Sequence, residues 1–302
     1  MEFGRLKSVE GIDLTLPRDH PGTEKVLGGK RADNLRVYIG APVWSDEGFP
    51  GTLYPPKARA KDFVKYYGRQ YNSIELNATH YRNPEPEAIK RWLAVVPEDF
   101  RFCPKVHQEI SHAGSLTHMI PQMKSLMLLW ETFKPKLGLP FLQLPPQLHH
   151  QRADELLTFL DAVMPDNLAI EIRHEGWFEP GNEAMRQVCN YMYRNRYCLV
   201  ITDVAGRRDV MHMRLTSRKV FIRFQANDLH PSDYIRMDAW VERLAQWLEQ
   251  GLEELYFFVH NPDKSLIPEL SVYFIKAFNR RTGLQIPVPR LYKTEAEPDK
   301  LF

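Results

Sequence analysis

The sequence predicts an α/β fold, a (β/α)8 TIM-like barrel, and three observations support this class. Short apolar segments alternate with segments of helical periodicity between residues 35 and 285. Eight such strand–helix units fit into this span, which has the usual size of this barrel. The turn after the first strand lacks the G-x-G-x-x-G spacing that is expected of the competing doubly wound sheet.

The predicted strands are short runs of apolar residues bounded by turn signals. They cover residues 37–40, 71–77, 100–106, 139–144, 168–173, 197–203, 219–224 and 254–261. A helix is predicted after every strand except the sixth, which an irregular stretch follows. The helices cover residues 61–70, 86–96, 117–133, 153–163, 182–195, 238–251 and 265–279. Pro86 opens its helix, and Gly251 ends another.

The regions outside the predicted barrel domain, residues 35–285, carry weaker signals. Residues 1–34 are polar and interrupted by Gly and Pro, so we expect a leader that packs on the surface or is partly disordered. Residues 286–302 form a predicted C-terminal tail. The sequence does not indicate an oligomeric state.

Composition excludes several classes of function. The net charge is only +2 and the basic residues are dispersed, which disfavours a nucleic-acid-binding face. No apolar run approaches the roughly 20 residues of a membrane helix, and the N-terminus lacks the apolar stretch of a signal peptide. Cys103, Cys189 and Cys198 form no CxxC motif and are expected to be reduced. We therefore expect a cytoplasmic protein without a membrane partner.

Polar residues recur at the carboxyl ends of the predicted strands, where a barrel of this kind places its active site. Side chains two residues apart on a strand share a face, so Glu75 and Asn77 should point to the barrel axis, as should Glu171 and Arg173. The residues expected at this mouth are Trp44, Glu75, Asn77, His80, Tyr81, Lys105, Gln143, Glu171, Arg173, Trp177, Asp203, Arg223, Gln225, His260 and Asn261.

A structural explanation competes with a functional one for these residues. A single buried ion pair would suffice to explain Glu171 and Arg173. Polar residues at the ends of seven strands favour a polar pocket instead, because barrel interiors are otherwise mostly apolar. Trp44 and Trp177 lie in loops after strands, where an indole ring is either a stacking platform or a packing residue.

Several motifs resemble those of the YecE-like proteins, domain-of-unknown-function family 72, over roughly residues 36–280. YNSIELNATHYRNP resembles the family pattern FNTVEINSTFYRxP, FLQLPPQL resembles LFQLPP, and AIEIRHEGWF resembles VEFRHxSW. The family's RLHG is RFQAND in this chain, so only Arg223 matches there, and its GTSGW is GAPVW, so only Gly40 and Trp44 match. The resemblance implies a TIM-like barrel but no particular reaction, because no activity is established for the family.

The first functional hypothesis is an enzyme for a small polar or anionic substrate, such as a sugar or sugar phosphate. The chemistry would be of isomerase or hydrolase type, by loose analogy with sugar-isomerase barrels. The predicted catalytic residues are Glu75, Glu171 and Asp203, as acid/base groups. Lys105, Arg173 and Arg223 would hold an anionic group. The remaining substrate-binding residues would be Trp44, Asn77, His80, Tyr81, Gln143, Trp177, His260 and Asn261.

Two alternatives remain open from the sequence. One is a binding or sensing protein that does not transform its small-molecule ligand. The other is an enzyme that uses Mg²⁺ or Mn²⁺, held by Glu75, Glu171, Asp203 and His260. The nearby arginines argue against the metal, since they would neutralise its carboxylate ligands. We therefore predict no cofactor and no tightly bound transition metal, because no HxH, HExxH or CxxC ligand set occurs.

Overall fold

The computed structural model describes residue 4 and residues 6–292, and every strand pairing in that part of the chain is parallel. The strands are β1 (Arg36–Ala41), β2 (Ser73–Leu76), β3 (Arg101–Pro104), β4 (Phe141–Gln143), β5 (Ala169–Glu171), β6 (Cys198–Leu199), β7 (Ile201–Asp203), β8 (Lys219–Gln225) and β9 (Glu254–His260). The α-helices are α1 (Pro21–Leu27), α2 (Phe63–Tyr67), α3 (Pro86–Val95), α4 (Gln108–Ser111), α5 (Ile120–Trp130), α6 (Ala153–Val163), α7 (Glu183–Arg194), α8 (Pro231–Gln250) and α9 (Ile267–Thr282).

The strands form two sheets. One has six strands in the order β3-β2-β1-β9-β8-β7, and the other has three in the order β4-β5-β6. Backbone hydrogen bonds connect the sheets: Val200 donates to the carbonyl of Ile170 (2.9 Å), and Val106 donates to that of Phe141 (2.9 Å). The predicted α/β class with parallel strands is confirmed in this form, as a six-stranded and a three-stranded sheet.

The predicted sixth strand, residues 197–203, is divided at Val200. The Val200 carbonyl accepts a hydrogen bond from Nε2 of His212 (3.0 Å) instead of one from a neighbouring strand. A 3-10 helix, Ala205–Val210, follows in place of an α-helix. The irregular sequence after this strand therefore corresponds to a real departure from β–α alternation.

Two apolar clusters form the core. The larger one lies between the sheets and the helices and contains Ile74, Leu76, Leu168 and Ile170, as the alternation along the strands predicts. The smaller one lies on the opposite face of the strands. Its members are Tyr38, Cys103, Leu139, Phe141, Ala169, Cys198, Val200, Phe221, Tyr256 and Phe258. We call this opposite face the inner face. On β3, β4, β5, β8 and β9, a residue of the smaller cluster is followed two positions later by a polar residue on the same face. The inner face therefore changes from apolar to polar toward the carboxyl ends of the strands.

Most helix boundaries lie close to the predicted ones, with three differences. Helix α8 begins at Pro231, seven residues before the predicted start at 238, because His230 caps its first turn through the amide of Ser232 (3.2 Å). The short helices α1 and α4 were not predicted. Each is also capped by a histidine, since Nδ1 of His20 accepts from Gly22 and Nδ1 of His107 accepts from Glu109.

The segment before β1 packs against the rest of the chain. Leu27 is fully buried, and the Asp19 carboxylate accepts a hydrogen bond from the indole of Trp247 in α8 (2.9 Å). Of the predicted C-terminal tail, residues 293–302 lie outside the described residues. Among the described helices, none has the length and apolar character needed to cross a membrane.

Candidate functional site

Side chains from both sheets meet in one hydrogen-bonded network at the carboxyl ends of the strands. We call it the mouth cluster. It consists of Glu75, Asn77, Lys105, Gln143, Glu171, Arg173, Thr202, Arg223 and His260. All except Thr202 were expected at this end of the strands. The register of the parallel strands therefore brings together residues that lie far apart in the sequence.

Arg223 of β8 is the centre of the mouth cluster. Its Nη2 donates to Oε1 of Glu75 (2.8 Å) and its Nε donates to Oε2 (3.0 Å), which makes a bidentate pair. Its Nη1 donates to Oε2 of Glu171 (3.0 Å). The two glutamates are 0% and 1% exposed and Arg223 is 5% exposed, so these charges compensate one another away from water.

The Glu75 carboxylate has further partners on both oxygens. Nδ2 of Asn77 donates to Oε1 (2.7 Å), and Nε2 of His260 lies 3.0 Å from Oε2. Burial opposes ionisation of Glu75, but the charge of Arg223 and the contact with His260 outweigh it and hold the pKa of Glu75 well below its ordinary value. Glu75 is therefore an ionised and fully hydrogen-bonded carboxylate.

Glu171 is held in the same way. Its Oε1 accepts from Nε of Arg173 (2.8 Å) and from the hydroxyl of Thr202 (2.9 Å), and its Oε2 also accepts from Nε2 of Gln143 (2.7 Å). Burial opposes its ionisation, yet Arg173 and Arg223 lower the pKa of Glu171 far below the usual range. A carboxylate with occupied oxygens and a strongly lowered pKa is a poor general acid, so this geometry favours a positioning role for both glutamates.

Lys105 has the least satisfied charge in the cluster. Its Nζ donates to Oε1 of Gln143 (2.8 Å) and lies 6.0 Å from the centre of the Phe141 ring. Burial, reinforced by the positive charge of Arg223, lowers the pKa of Lys105 to about 7. The pKa of this lysine therefore lies near neutral pH, far below the ordinary value of 10.5.

Histidines lie beside the mouth cluster, near Lys105. Nδ1 of His80 lies 2.9 Å from the carbonyl oxygen of Val106, and burial lowers the pKa of His80 to about 4. Burial and the charge of Lys105 also lower the pKa of His112, whose ring centre is 5.2 Å from that of His80. Tyr81 packs edge-on against His80 and is 69% exposed. The predicted residues His80 and Tyr81 therefore border the cluster without joining its hydrogen bonds.

Asp203 does not join the mouth cluster, so the expectation that it lies there is wrong. Its carboxylate accepts hydrogen bonds from Nη1 of Arg208 (2.6 Å), Nη1 of Arg236 (3.1 Å) and Nε1 of Trp240 (2.8 Å), of which the last two belong to α8. Side-chain alternation explains the difference, because Thr202 points to the inner face and its neighbour Asp203 to the helices. Cys198 and Val200 belong to the smaller apolar cluster, and the next residue on that face is Thr202. Alternation from Cys198 would therefore have identified Thr202 as the polar residue of this strand.

The remaining predicted residues pack or brace loops. Trp177 is fully buried and its indole donates to the carbonyl of Leu148 (2.7 Å), which makes it a packing residue and not a stacking platform. Trp44 packs edge-on against Trp92, with ring centres 4.9 Å apart. Asn261 accepts from the amide of Asp228 (3.0 Å) and so joins the loops that follow β8 and β9.

The four residues proposed as metal ligands do not form one set, although His260 lies beside Glu75. Glu75 and Glu171 are bound to Arg223, and Asp203 faces the helices. In the part of the chain that the structure describes, no group of three or more His, Cys, Asp or Glu side chains is placed to hold a metal ion. A cavity of about 590 Å³ lies between the segment around Leu14 and helix α8, away from the mouth cluster.

Comparisons with known proteins agree with the resemblance read from the motifs. The family described as "Protein of unknown function DUF72" matches residues 38–293. The UPF0759 protein YecE of Escherichia coli strain K12 is 29% identical over 253 residues, which cover 78% of this chain and 89% of that protein. The UPF0759 protein YunF of Bacillus subtilis strain 168 is 26% identical over 155 residues, which cover 48% of this chain and 53% of that protein.

Solved structures share the fold. The crystal structure of a DUF72 family protein from Enterococcus faecalis V583 at 2.52 Å resolution has a TM-score of 0.63 at 18% identity and covers 84% of this chain and all of that chain. A second structure of that protein, at 3.10 Å resolution, has a TM-score of 0.62 at 19% identity, with 82% and 96% of the two chains covered. At this level of identity the similarity concerns the fold alone.

Proposed function

The chain belongs to the DUF72 family of proteins of unknown function, and from this premise we propose that it binds a small anionic molecule at the mouth cluster. The match to the family over residues 38–293 and the similarity to YecE confirm the resemblance that the sequence motifs indicated. The binding site proposed is the solvent side of the cluster, where Lys105 and Arg173 lie.

The order of charges from the interior to the solvent is the observation that carries this proposal. The carboxylates of Glu75 and Glu171 are the most deeply buried groups, and their oxygens are occupied. Lys105 is 7% exposed and Arg173 is partly exposed, so the cations lie nearer the solvent. Two carboxylates balance two arginines, which leaves the protonated form of Lys105 as an additional positive charge that an anion would neutralise.

The sugar or sugar phosphate expected from the sequence is compatible with this site. A phosphate or carboxylate group would bind the cations, and Asn77 and His260 would offer hydrogen bonds to hydroxyl groups. In this proposal the glutamates hold the cations and amides in place instead of transferring protons. The binding protein without a reaction is the second candidate, and the occupied oxygens of Glu75 and Glu171 are the observation that favours it.

We also propose that the two sheets form one closed eight-stranded barrel, in which β6 and β7 count as a single strand. The hydrogen bonds of Val200 and Val106 across the two gaps support this closure. So does the mouth cluster itself, because Arg223 of the larger sheet binds Glu171 of the smaller one. The expected cytoplasmic location stays a prediction.

Thermal unfolding in the presence of anions tests the proposed function. We expect inorganic phosphate and glucose 6-phosphate to raise the melting temperature and glucose to have a smaller effect. A ligand of the native state at 100 times its Kd adds about 2.7 kcal/mol to the free energy of unfolding. EDTA should leave the shift unchanged, because the proposal needs no metal.

A matched pair of lysine variants locates the effect. Lys105→Met should reduce the phosphate-dependent shift, whereas Lys219→Met should keep it. Lys219 starts β8 at the opposite end of the strands and also donates to an amide oxygen, that of Asn167 (2.9 Å). An equal response to glucose and glucose 6-phosphate, or an equal loss in both variants, would refute anion binding at the mouth cluster.

A further inference from the structure

We propose that Lys105 is a nucleophile whose amine forms a Schiff base with the carbonyl carbon of an anionic aldehyde or ketone. This inference deepens the proposed function and rests on it, since the anionic group of the substrate would bind the cations beside the lysine. It assigns a covalent role to a residue expected from the sequence only to bind substrate.

The hydrogen bonding of Lys105 is unusual for a buried lysine. Among the described residues its Nζ has one hydrogen-bond partner, the neutral amide oxygen of Gln143 (2.8 Å), and no carboxylate at ion-pair distance. Lys136 provides the contrast within the same chain. Its Nζ donates to the carbonyls of Leu93 (3.0 Å) and Val96 (2.9 Å) and lies 3.1 Å from the Glu98 carboxylate. Lys136 thus has three acceptors, one of them a carboxylate, whereas Lys105 has a single neutral amide oxygen.

The surroundings of Lys105 favour the neutral amine, which is the nucleophilic form. Burial disfavours the ammonium, and the guanidiniums of Arg223 and Arg173 repel it. These effects outweigh the attraction of the Glu171 and Glu75 carboxylates and lower the pKa of Lys105 to about 7. Both arginines are fixed by Glu171. The positive charges of Arg223 and Arg173, which lower the pKa of Lys105, would also attract the anionic group of a substrate.

The proposed reaction is balanced without an oxidant or reductant. The lone pair of the neutral amine attacks the carbonyl carbon, a C–N bond forms as the C=O π bond opens, and a proton passes from the nitrogen to the oxygen to give a neutral carbinolamine. The hydroxyl oxygen takes up a second proton, from solvent, and the nitrogen lone pair expels it as water, which leaves a protonated C=N bond. The net change consumes one amine, one carbonyl group and one proton and releases one water. The positive iminium would draw electrons from the neighbouring carbon, as enolisation and aldol-type reactions require.

Borohydride trapping with pyridoxal 5′-phosphate tests this inference on the full chain. The probe carries both an aldehyde and a phosphate. At neutral pH we expect an imine absorption band and, after reduction and peptide mass spectrometry, a phosphopyridoxyl group on Lys105. Pyridoxal, which lacks the phosphate, should label Lys105 at least tenfold less. Lys136 should stay unmodified, as a buried lysine with a full set of acceptors.

Variants separate the covalent step from binding. Lys105→Arg keeps a cation but removes the amine, so it should keep the phosphate-dependent rise in melting temperature and lose the adduct. Lys219→Met should keep both. If Lys105→Arg melts far below the parent chain, Lys105→Met tests only the loss of the adduct, because it should also weaken phosphate binding, and the unmodified or modified state of Lys105 in the parent chain then decides the covalent step.

The outcomes distinguish the two proposals. If phosphate and pyridoxal 5′-phosphate raise the melting temperature of the parent chain but Lys105 remains unmodified after reduction, the Schiff-base inference is overturned while anion binding stands. Equal labelling of Lys105 by pyridoxal and its phosphate would overturn the anionic substrate class and, with it, the proposed function. Labelling of Lys105 that depends on the phosphate and is absent from Lys105→Arg supports both.

Discussion

Arg223 and Glu75 form a bidentate ion pair although their strands are not neighbours. The guanidinium donates to both carboxylate oxygens, at 2.8 and 3.0 Å, while β1 and β9 lie between the strands that carry the two residues. On a flat sheet, three interstrand spacings would separate the two backbones by about 14 Å, with the side chains parallel to each other. The pair can form because the six-stranded sheet curves strongly around its inner face.

Replacement of Arg223 by Met should destabilise the protein by about 3–5 kcal/mol, because it leaves two buried carboxylates without their shared cation. Urea unfolding at neutral pH measures the change in the free energy of unfolding. Part of the loss should be recovered at low pH, where the glutamates become protonated. A loss below about 1 kcal/mol would mean that water reaches the carboxylates in the variant.

Glu171→Gln and Asp203→Asn test whether the two carboxylates belong to different sites. Each variant should lose a few kcal/mol of stability, because each acid is buried and accepts hydrogen bonds from cations. Only Glu171→Gln should also weaken the phosphate-dependent shift in melting temperature, since Glu171 positions Arg173. Near-parental stability of Glu171→Gln with binding abolished would instead indicate direct contact between Glu171 and the ligand.

Lys105 should make stability increase with pH on the alkaline side of neutrality. Its pKa is about 7 in the folded protein, below the ordinary value of 10.5, so the unfolded chain holds more protons between these two pH values. The free energy of unfolding should therefore rise between pH 7 and pH 10, by at most about 1.4 kcal/mol per pH unit from this group. Lys105→Met should remove this slope, and Lys219→Met should retain it.

His212 should contribute to acid unfolding. Burial lowers its pKa from 6.5 to about 4, so the unfolded chain takes up a proton that the folded one resists. Its contribution to stability is complete above pH 6.5 and is lost as the pH falls toward 4, by about 3 kcal/mol in total. His212→Leu should show a shallower acid slope than the parent chain, although it loses stability at neutral pH because the Val200 carbonyl then lacks its donor. Equal slopes would show that His212 is accessible to water.

Alternation along the strands accounts for most of what could be predicted of the site. It placed Glu75 and Glu171 on the inner face, because each belongs to a strand where apolar neighbours mark the outer face, and Arg173, two residues beyond the end of β5, binds Glu171 there. Asp203 was expected at the mouth only because it ends its strand. Side chains alternate along that strand, so Thr202 and not Asp203 lies on the inner face. The partner of each residue, such as Gln143 for Lys105, depends on the spatial register of the strands, which the sequence does not encode locally.

The short helices show a different limit of prediction. Helix α1 has seven residues and α4 has four, which is too few for a helical period to be recognised. Both depend on a histidine cap, and α1 also depends on a distant contact, the hydrogen bond from Thr23 to the carbonyl of Met213 (2.9 Å). A contact of that kind forms only in the folded chain, so local sequence cannot reveal α1, and α4 is too short to show a helical period.

The ion pairs of the mouth cluster also restrict the order in which the chain can acquire its structure. Arg223 is 148 residues from Glu75 and 52 from Glu171 in the sequence. A nascent chain that ends before β8 contains both glutamates but lacks the arginine that joins them, so burying them at that stage would be costly. The polypeptide that precedes β8, nearly three quarters of the chain, should therefore remain incompletely packed during synthesis, and the remainder should complete the fold in one cooperative step.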